Sequence, residues 1–317
     1  MGSNGLTISI VGLAVALASA AHSQGFPERT MEVVVPFAPG GVTDILGRAL
    51  ARGMAAHLSQ RVIVTNKPGA SGAIGAAAVA RASPDGFTLY YGGAATMAPY
   101  PAQTGYTRAS FEPICQAYKF DLVIIVRPEA PLKSMSDLVK AAKANPGGVT
   151  YGHLGVGSSF HLTIIGLSQA AGVTFNQIPF RGDAETMQQV LGGQVDFGIV
   201  TLSSVAAGGH RMLGLFAEAR NPAFPDVPTM GEQGLHTIDV ASMAIGGLFA
   251  PAGLPGETKR KLAEACSAAA QGEDYKRVAK SLHQPSDYYA DSAAFATNVD
   301  KAVEVKTKLL GVLPGSN

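Results

Sequence analysis

Two stretches of this 317-residue chain join a glycine turn to a helix start, a combination by which a backbone holds an anion. The first is Val33 to Asp44, VVVPFAPGGVTD: a β-branched run, a stop at Pro36, an apolar Phe37, the turn Pro39-Gly40-Gly41, and a helix opening at Thr43-Asp44. Glycines accept left-handed angles and let a ligand come close to the main chain. The helix start offers N–H groups without intrahelical acceptors and the positive end of the dipole. Such a cradle needs no lysine or arginine. The same residues also suit an ordinary strand-to-helix turn with Asp44 as cap. The second stretch repeats the design: Val149 to Gly152, then Gly155-Val156-Gly157-Ser158, then a helix through His161 and Leu162. Ser158 is placed to cap that helix or to donate to a ligand, with His161 one turn on. Two cradles of one construction imply a cleft closed from both sides.

The chemistry these residues lack is as informative. A serine hydrolase needs a G-x-S-x-G elbow at a strand–helix junction, and none is present. Ser158 and His161 share one helical turn, which makes no triad without a placed acid. Gly69, Gly72 and Gly75 have the wrong spacing for a dinucleotide site, and no Walker lysine follows a glycine loop. The seven histidines are scattered and no CxxC occurs, so neither a metal site nor a cofactor is expected. Catalytic residues are not expected either.

The elements that must position the cradles read as alternating strands and helices. A helix from Asp44 to about Ser59 carries Leu46, Leu50, Met54 and Leu58 on one stripe. RVIVTNKPG is a strand and turn, Ser71-Gly72 suits the cap of an alanine-rich helix to Ala82, and Phe87 to Tyr91 is a further strand ending in glycines. Three such units predict a mostly parallel sheet with its ligand loops at the carboxyl ends. Asp121 to Arg127 is a strand crossing into a second lobe. There Asn176 to Phe180, a turn at Arg181-Gly182-Asp183 with Asp183 as cap, a helix to Leu191, and strands at Val195 to Val200 and Arg211 to Ala217 follow. Ala241 to Phe249 returns the chain, and two terminal helices span about Glu257 to Gln271 and Ser292 to Leu310.

Composition agrees with a folded α/β protein: 47 % hydrophobic, 15 % charged, 38 glycines and 19 prolines. A net charge of +1 and the absence of tryptophan argue against nucleic acid as a partner. Leu6 to Ala20 is an uncharged apolar run ending in Ala18-Ser19-Ala20, which suits a cleaved export signal over residues 1–23, although Met1 to Gly5 carries no basic residue. In an exported chain Cys115 and Cys266 either pair or stay as buried thiols.

In order along the chain, PFAPGGVTD, NKPGASGAIGAAAVARASPDGFTL, YGHLGVGSSFHL, IPFRGDAETMQQVLGGQVD and FPDVPTMGEQGL resemble the Bug/TctC family, the periplasmic substrate-binding proteins of tripartite tricarboxylate transporters. The resemblance runs from about Pro27 to the C-terminal helices. It implies a two-lobed α/β periplasmic-binding-protein fold (Venus flytrap, type II), with residues 26–123 in lobe 1, 124–240 in lobe 2 and 241–317 back in lobe 1. It also implies a small di- or tricarboxylate or aromatic carboxylate in the cleft, membrane transporter subunits as partners, a monomer and a periplasmic location. Phe37, Pro39, Gly40, Gly41, Thr43 and Asp44 would form the first cradle, bordered by Ser71 and by Ala95 and Thr96. Gly155, Gly157, Ser158 and His161 would form the second, with Arg181, Gly182 and Asp183 beside it. Arg181 is either a counter-charge or a solvated turn residue, and Phe37 either a pocket wall or core. The loop GGAAT at Gly92 to Thr96 and the segment YPAQTGYTRASFEPI depart from the family pattern, which bears on ligand identity. A sensor subunit for a signalling system would use the same cleft.

Overall fold

The computed structural model describes residues 25–98, 104–205, 208–237, 239–285 and 288–313. The expected export signal, residues 1–23, and Tyr100 to Gln103 of the divergent segment lie outside the described residues. In chain order the strands are β1 (Met31–Val35), β2 (Val62–Asn66), β3 (Thr88–Gly93), β4 (Phe111–Lys119), β5 (Leu122–Val126), β6 (Thr150–His153), β7 (Asn176–Pro179), β8 (Phe197–Thr201), β9 (Arg211–Phe216) and β10 (Ile245–Pro251). They form two five-stranded sheets, ordered β2-β1-β3-β10-β4 and β7-β6-β8-β5-β9. The chain passes from the first sheet to the second between Lys119 and Leu122, so all of β5 lies in the second sheet and the expected division after residue 123 cuts through it.

Parallel pairing holds for β2-β1-β3 and for β7-β6-β8, where each strand feeds a helix. The remaining pairs are antiparallel: β10 with β3 and β4, and β5 with β8 and β9. The expectation of a mostly parallel sheet therefore covers three strands of each five.

The helices are α1 (Val42–Leu58), α2 (Ala73–Ala80), α3 (Met135–Ala144), α4 (Ser159–Ala171), α5 (Asp183–Leu191), α6 (Leu202–Val205), α7 (Gly256–Ala270), α8 (Glu273–Ser281) and α9 (Ser292–Leu310). Each sheet is covered on both faces, which is why its central strands are continuously apolar. Val33 and Val35 of β1 meet Leu46, Leu50 and Met54 of α1, while Val34 faces Ala73, Ala76 and Ala77 of α2. In the second sheet Ile124 packs with Leu138 of α3 and Leu162 of α4, and Val123 and Ile125 with Val190 of α5. Helix α9 joins both cores. Its Phe295, Val299 and Ala302 belong to the first-sheet core, and Val305 and Leu309 to the second. Cys115 of β4 and Cys266 of α7 are bonded, with 6.3 Å between their Cα atoms.

Candidate functional site

The first loop begins where β1 ends. Gly40 has φ +84°, a left-handed angle that favours glycine. Gly41 does not: at φ −74° and ψ 164° it is extended and serves as N-cap of α1. A Cβ on Gly41 would approach nothing nearer than the Ala38 carbonyl, 3.6 Å away, so a side chain there would project from an open helix start.

Asp44 is not the cap. It is the third residue of α1, and its carboxylate turns back into the loop. Oδ2 accepts from the Gly40 N–H at 2.9 Å and from Arg48 Nε at 3.0 Å, and Oδ1 accepts from Asn66 Nδ2 at 2.8 Å and Arg48 Nη2 at 3.0 Å. The same Asn66 amide donates to the Phe37 carbonyl. Burial opposes the charge on Asp44, but the bonds from Arg48, Gly40 and Asn66 prevail and hold its carboxyl below the usual range. With both oxygens occupied, Asp44 shapes the loop. Phe37 is half-buried and joins none of the core clusters.

The loops after β2 and β3 stand beside it. Gly69, Ala70, Ser71 and Gly72 have φ of 126°, 47°, 52° and 93°, four left-handed residues in succession. Strain of this kind on non-glycine residues costs about 1–2 kcal/mol each and gathers at binding sites. Ser71 does not cap α2, whose N-cap is Gly72 with no side-chain bond. Close packing brings the three loops together: a Cβ on Gly72 would lie 3.4 Å from both Pro36 Cβ and Thr96 Oγ1, and one on Gly75 would lie 3.1 Å from Pro36 Cβ and the Lys67 carbonyl. The Ala95 and Thr96 carbonyls are held by Lys306 Nζ and the Tyr106 hydroxyl, each at 2.9 Å.

Across from these loops, β6 runs into Gly155 (φ 99°) and Gly157 (φ 75°). Ser158 is the N-cap of α4, its Oγ accepting from the His161 N–H at 3.2 Å. His161 Nδ1 in turn accepts from the Gly157 N–H at 3.1 Å, which places the imidazole proton on Nε2. His153 stacks on His161, with 4.7 Å between ring centroids, and its Nδ1 donates to the Gly155 carbonyl. Burial lowers both basicities, that of His161 to about 4 with His153 as a second cause, so neither ring is a cation at neutral pH. The bonds of both rings run to backbone groups and to Gln177 rather than to a carboxylate, and the constellation lacks the parts of a Ser/His nucleophile.

The third group behaves differently from expectation. Gly182, not Asp183, is the N-cap of α5. Asp183 Oδ2 accepts from the Thr201 N–H and from the Thr201 and Ser204 hydroxyls at the end of β8. Burial raises its pKa against those bonds. Arg181 is exposed, and its backbone N–H is engaged with Glu185.

The two sheets meet at one contact among these candidates: a Cβ on Gly155 would lie 3.2 Å from Ser71 Oγ. Ala95 likewise packs into the second-sheet core. The Ser71/Thr96 loops and the Gly155 turn that opens α4 therefore meet between the sheets, and the first loop packs beside Ser71 and Thr96 through Pro36. Sequence reasoning missed two phenols here. The buried hydroxyls of Tyr90 and Tyr118 neighbour Thr96 and Thr43 without an aligned hydrogen bond, and burial pushes both pKa values far up. Their signal was Tyr on strands that end in glycine (Tyr90 before Gly92-Gly93) or face it (Tyr118 opposite Gly246). A cavity of about 120 Å³, lined by Lys119, Asp239, Ser242, Tyr288, Asn298 and Lys301 among others, includes none of the candidate residues.

The family model of the tripartite tricarboxylate transporter family receptor, TctC, matches residues 46–308. The chain belongs to this receptor family. A UPF0065 protein of Bordetella pertussis is 35 % identical to it over 274 residues, covering 83 % of this chain and 82 % of the relative. Among solved structures, periplasmic binding protein BugD is 31 % identical with a TM-score of 0.76, covering 90 % of this chain and 98 % of BugD. MatC from Rhodopseudomonas palustris, solved with bound malate, is 29 % identical with a TM-score of 0.76, covering 90 % and 99 %. The two mixed sheets are thus the periplasmic-binding-protein fold, and the TctC family is one of receptors rather than enzymes. Among the described residues no helix is long and apolar enough to cross a membrane.

Proposed function

We propose that this TctC-family protein is an exported receptor that closes on a small carboxylate between its two sheets and passes it to the membrane subunits of a tripartite tricarboxylate transporter. The observation that carries this reading is the Ser71–Gly155 approach between the two sheets, each of which also carries a glycine-turn helix start nearby in its own fold, that of α1 and that of α4. Helix starts aimed into a water-poor cleft stabilise a carboxylate through N–H groups and dipoles fixed before the ligand arrives. The malate in MatC supports the ligand class, and the apolar run ending in Ala18-Ser19-Ala20 supports export.

Thermal unfolding of the mature protein with malate, citrate, benzoate and the amide of each tests it. A ligand at about a hundred times its Kd adds about 2.7 kcal/mol and raises the melting temperature. The expected result is a rise with at least one acid and none with its amide. No rise with any of the acids overturns the carboxylate reading.

A further inference from the structure

Among the described residues Lys306 is the only lysine or arginine that is fully buried, at 5 % exposure. Among the described residues it has no ion-pair partner, and its one hydrogen-bond partner there is the Ala95 carbonyl, 2.9 Å from Nζ. An ammonium group out of water and without a counter-ion is among the least favourable things a fold can contain. A hydrogen bond to one carbonyl offsets little of that. The neighbours offer no hidden partner. Helix α9 packs against the Ala94–Met97 turn, the Val240–Met243 turn, β4 and α4. The first turn carries no ionisable group, although the phenols of Tyr90 and Tyr106 lie against it. The second follows Asp239, which pairs with Lys301. On β4, Glu112 pairs with Lys259, and Tyr118 and Lys119 are the other ionisable groups. On α4 there is only the neutral His161.

The position of Lys306 says what the charge is for. It follows Val305, where α9 leaves the first-sheet core and enters the second. The carbonyl it holds belongs to Ala95, next to Thr96, whose hydroxyl packs against Gly72 and so beside Ser71 at the contact between the sheets. We propose that Lys306, from behind the Ala95–Thr96 turn, supplies the positive charge with which the bound carboxylate pairs. The empty receptor then holds an uncompensated cation, and the ligand removes that penalty on binding. Arg181, exposed and remote in its contacts, does not have this position.

The inference rests on the carboxylate reading above, and its test separates the two. Calorimetry with malate, citrate and benzoate on wild type, Lys306→Gln and Lys306→Met is the experiment. Gln keeps an N–H donor for the Ala95 carbonyl but carries no charge. Both variants are expected to bind the acid that wild type binds at least tenfold more weakly, while melting at or above wild type when ligand-free. Wild-type affinity in Lys306→Gln, whatever Lys306→Met does, overturns the charge pairing and leaves the carboxylate reading intact. Binding of none of the acids to wild type overturns both. A measurement on wild type alone guards against a variant that fails to fold. Burial lowers the basicity of Lys306 to about 8, and a carboxylate beside it would raise that value. Binding at pH 8 should therefore take up a fraction of a proton, read from the buffer dependence of the binding heat, and binding at pH 6.5 should take up none. Zero uptake at pH 8 overturns the proposal.

Discussion

At the scale of single residues, the site is shaped by groups that never meet a ligand, and Asp44 is the clearest case. Its carboxylate gathers donors from Gly40, Arg48 and Asn66, so removing the charge releases a backbone N–H, an amide and a guanidinium at once. Hydrogen bonds to a charged group are worth about 1.5–3 kcal/mol, and Asp44→Asn is expected to lower unfolding free energy by about 2–3 kcal/mol at pH 7. The pH dependence follows from the depressed carboxyl, whose ordinary value is 3.8. Its stabilisation is complete above that unfolded value and is lost as pH falls through the lower folded one. Urea unfolding of wild type and variant should thus differ at pH 7, with the gap narrowing as pH falls below 3.8. A constant gap would show that the carboxylate is not the source. The motif itself was legible in the sequence, but its division of labour was not: Gly40 needs a left-handed angle and Gly41 does not, because turn geometry depends on how Asp44 folds back. Lys306 was invisible because one of three lysines in an amphipathic helix reads as solvated until its neighbours are known.

At the scale of elements, the strand–helix alternation was legible wherever apolar runs are bounded by glycine, as at β1, β6 and β8, and β5 was legible as an unbroken apolar run between Asp121 and Arg127. Strand β4 was not. FEPICQAYK carries Pro113, Glu112 and Gln116, and it forms a strand because it lies at the sheet edge, where one missing N–H is tolerated and β10 supplies the register. Helix α8 was missed because EDYKRVAKS is short and five of its nine residues are charged, which hides the narrow apolar face carrying Tyr275 and Ala279. Tyr275 nonetheless anchors it, with its hydroxyl bonded to the Ala117 carbonyl and meeting Tyr91. Whether Cys115 and Cys266 pair was beyond sequence for the same reason, since one lies on the unrecognised strand. The bridge closes a separation of 151 residues and ties α7 to the sheet edge. A loop of that length corresponds to about 4–5 kcal/mol in the chain-entropy description. The double variant Cys115→Ala/Cys266→Ala is expected to lose about 2–5 kcal/mol in urea unfolding while keeping its ligand affinity, since both residues lie in the first-sheet core rather than at the interface. A loss below about 1 kcal/mol would mean that packing of α7 on β4 already holds that edge.

For the whole molecule, function depends on whether the two sheets part and close as bodies. The chain passes between the sheets twice, from β4 to β5 and from β9 to β10, and α9 lies along both cores. With ligand loops of both sheets on one interface, opening must separate Ser71 from Gly155. That contact can be turned into a lock. A Cβ at position 155 would stand 3.2 Å from the Ser71 side chain, within reach of a disulfide between Ser71→Cys and Gly155→Cys. Gly155 has φ 99°, so its replacement costs about 1–2 kcal/mol, and the reduced double variant, which should melt a few degrees lower, is the reference for the oxidised form. Oxidised, it should admit and release ligand roughly tenfold or more slowly, because domain closure around a ligand needs its hinge. Mild reductant should restore exchange without opening the native bridge, since Cys115 and Cys266 are both fully buried. Stopped-flow rates on the two redox forms decide the matter. If the oxidised form exchanges ligand at the wild-type rate, the sheets do not part at this contact, and access to the α1 and α4 starts follows another route.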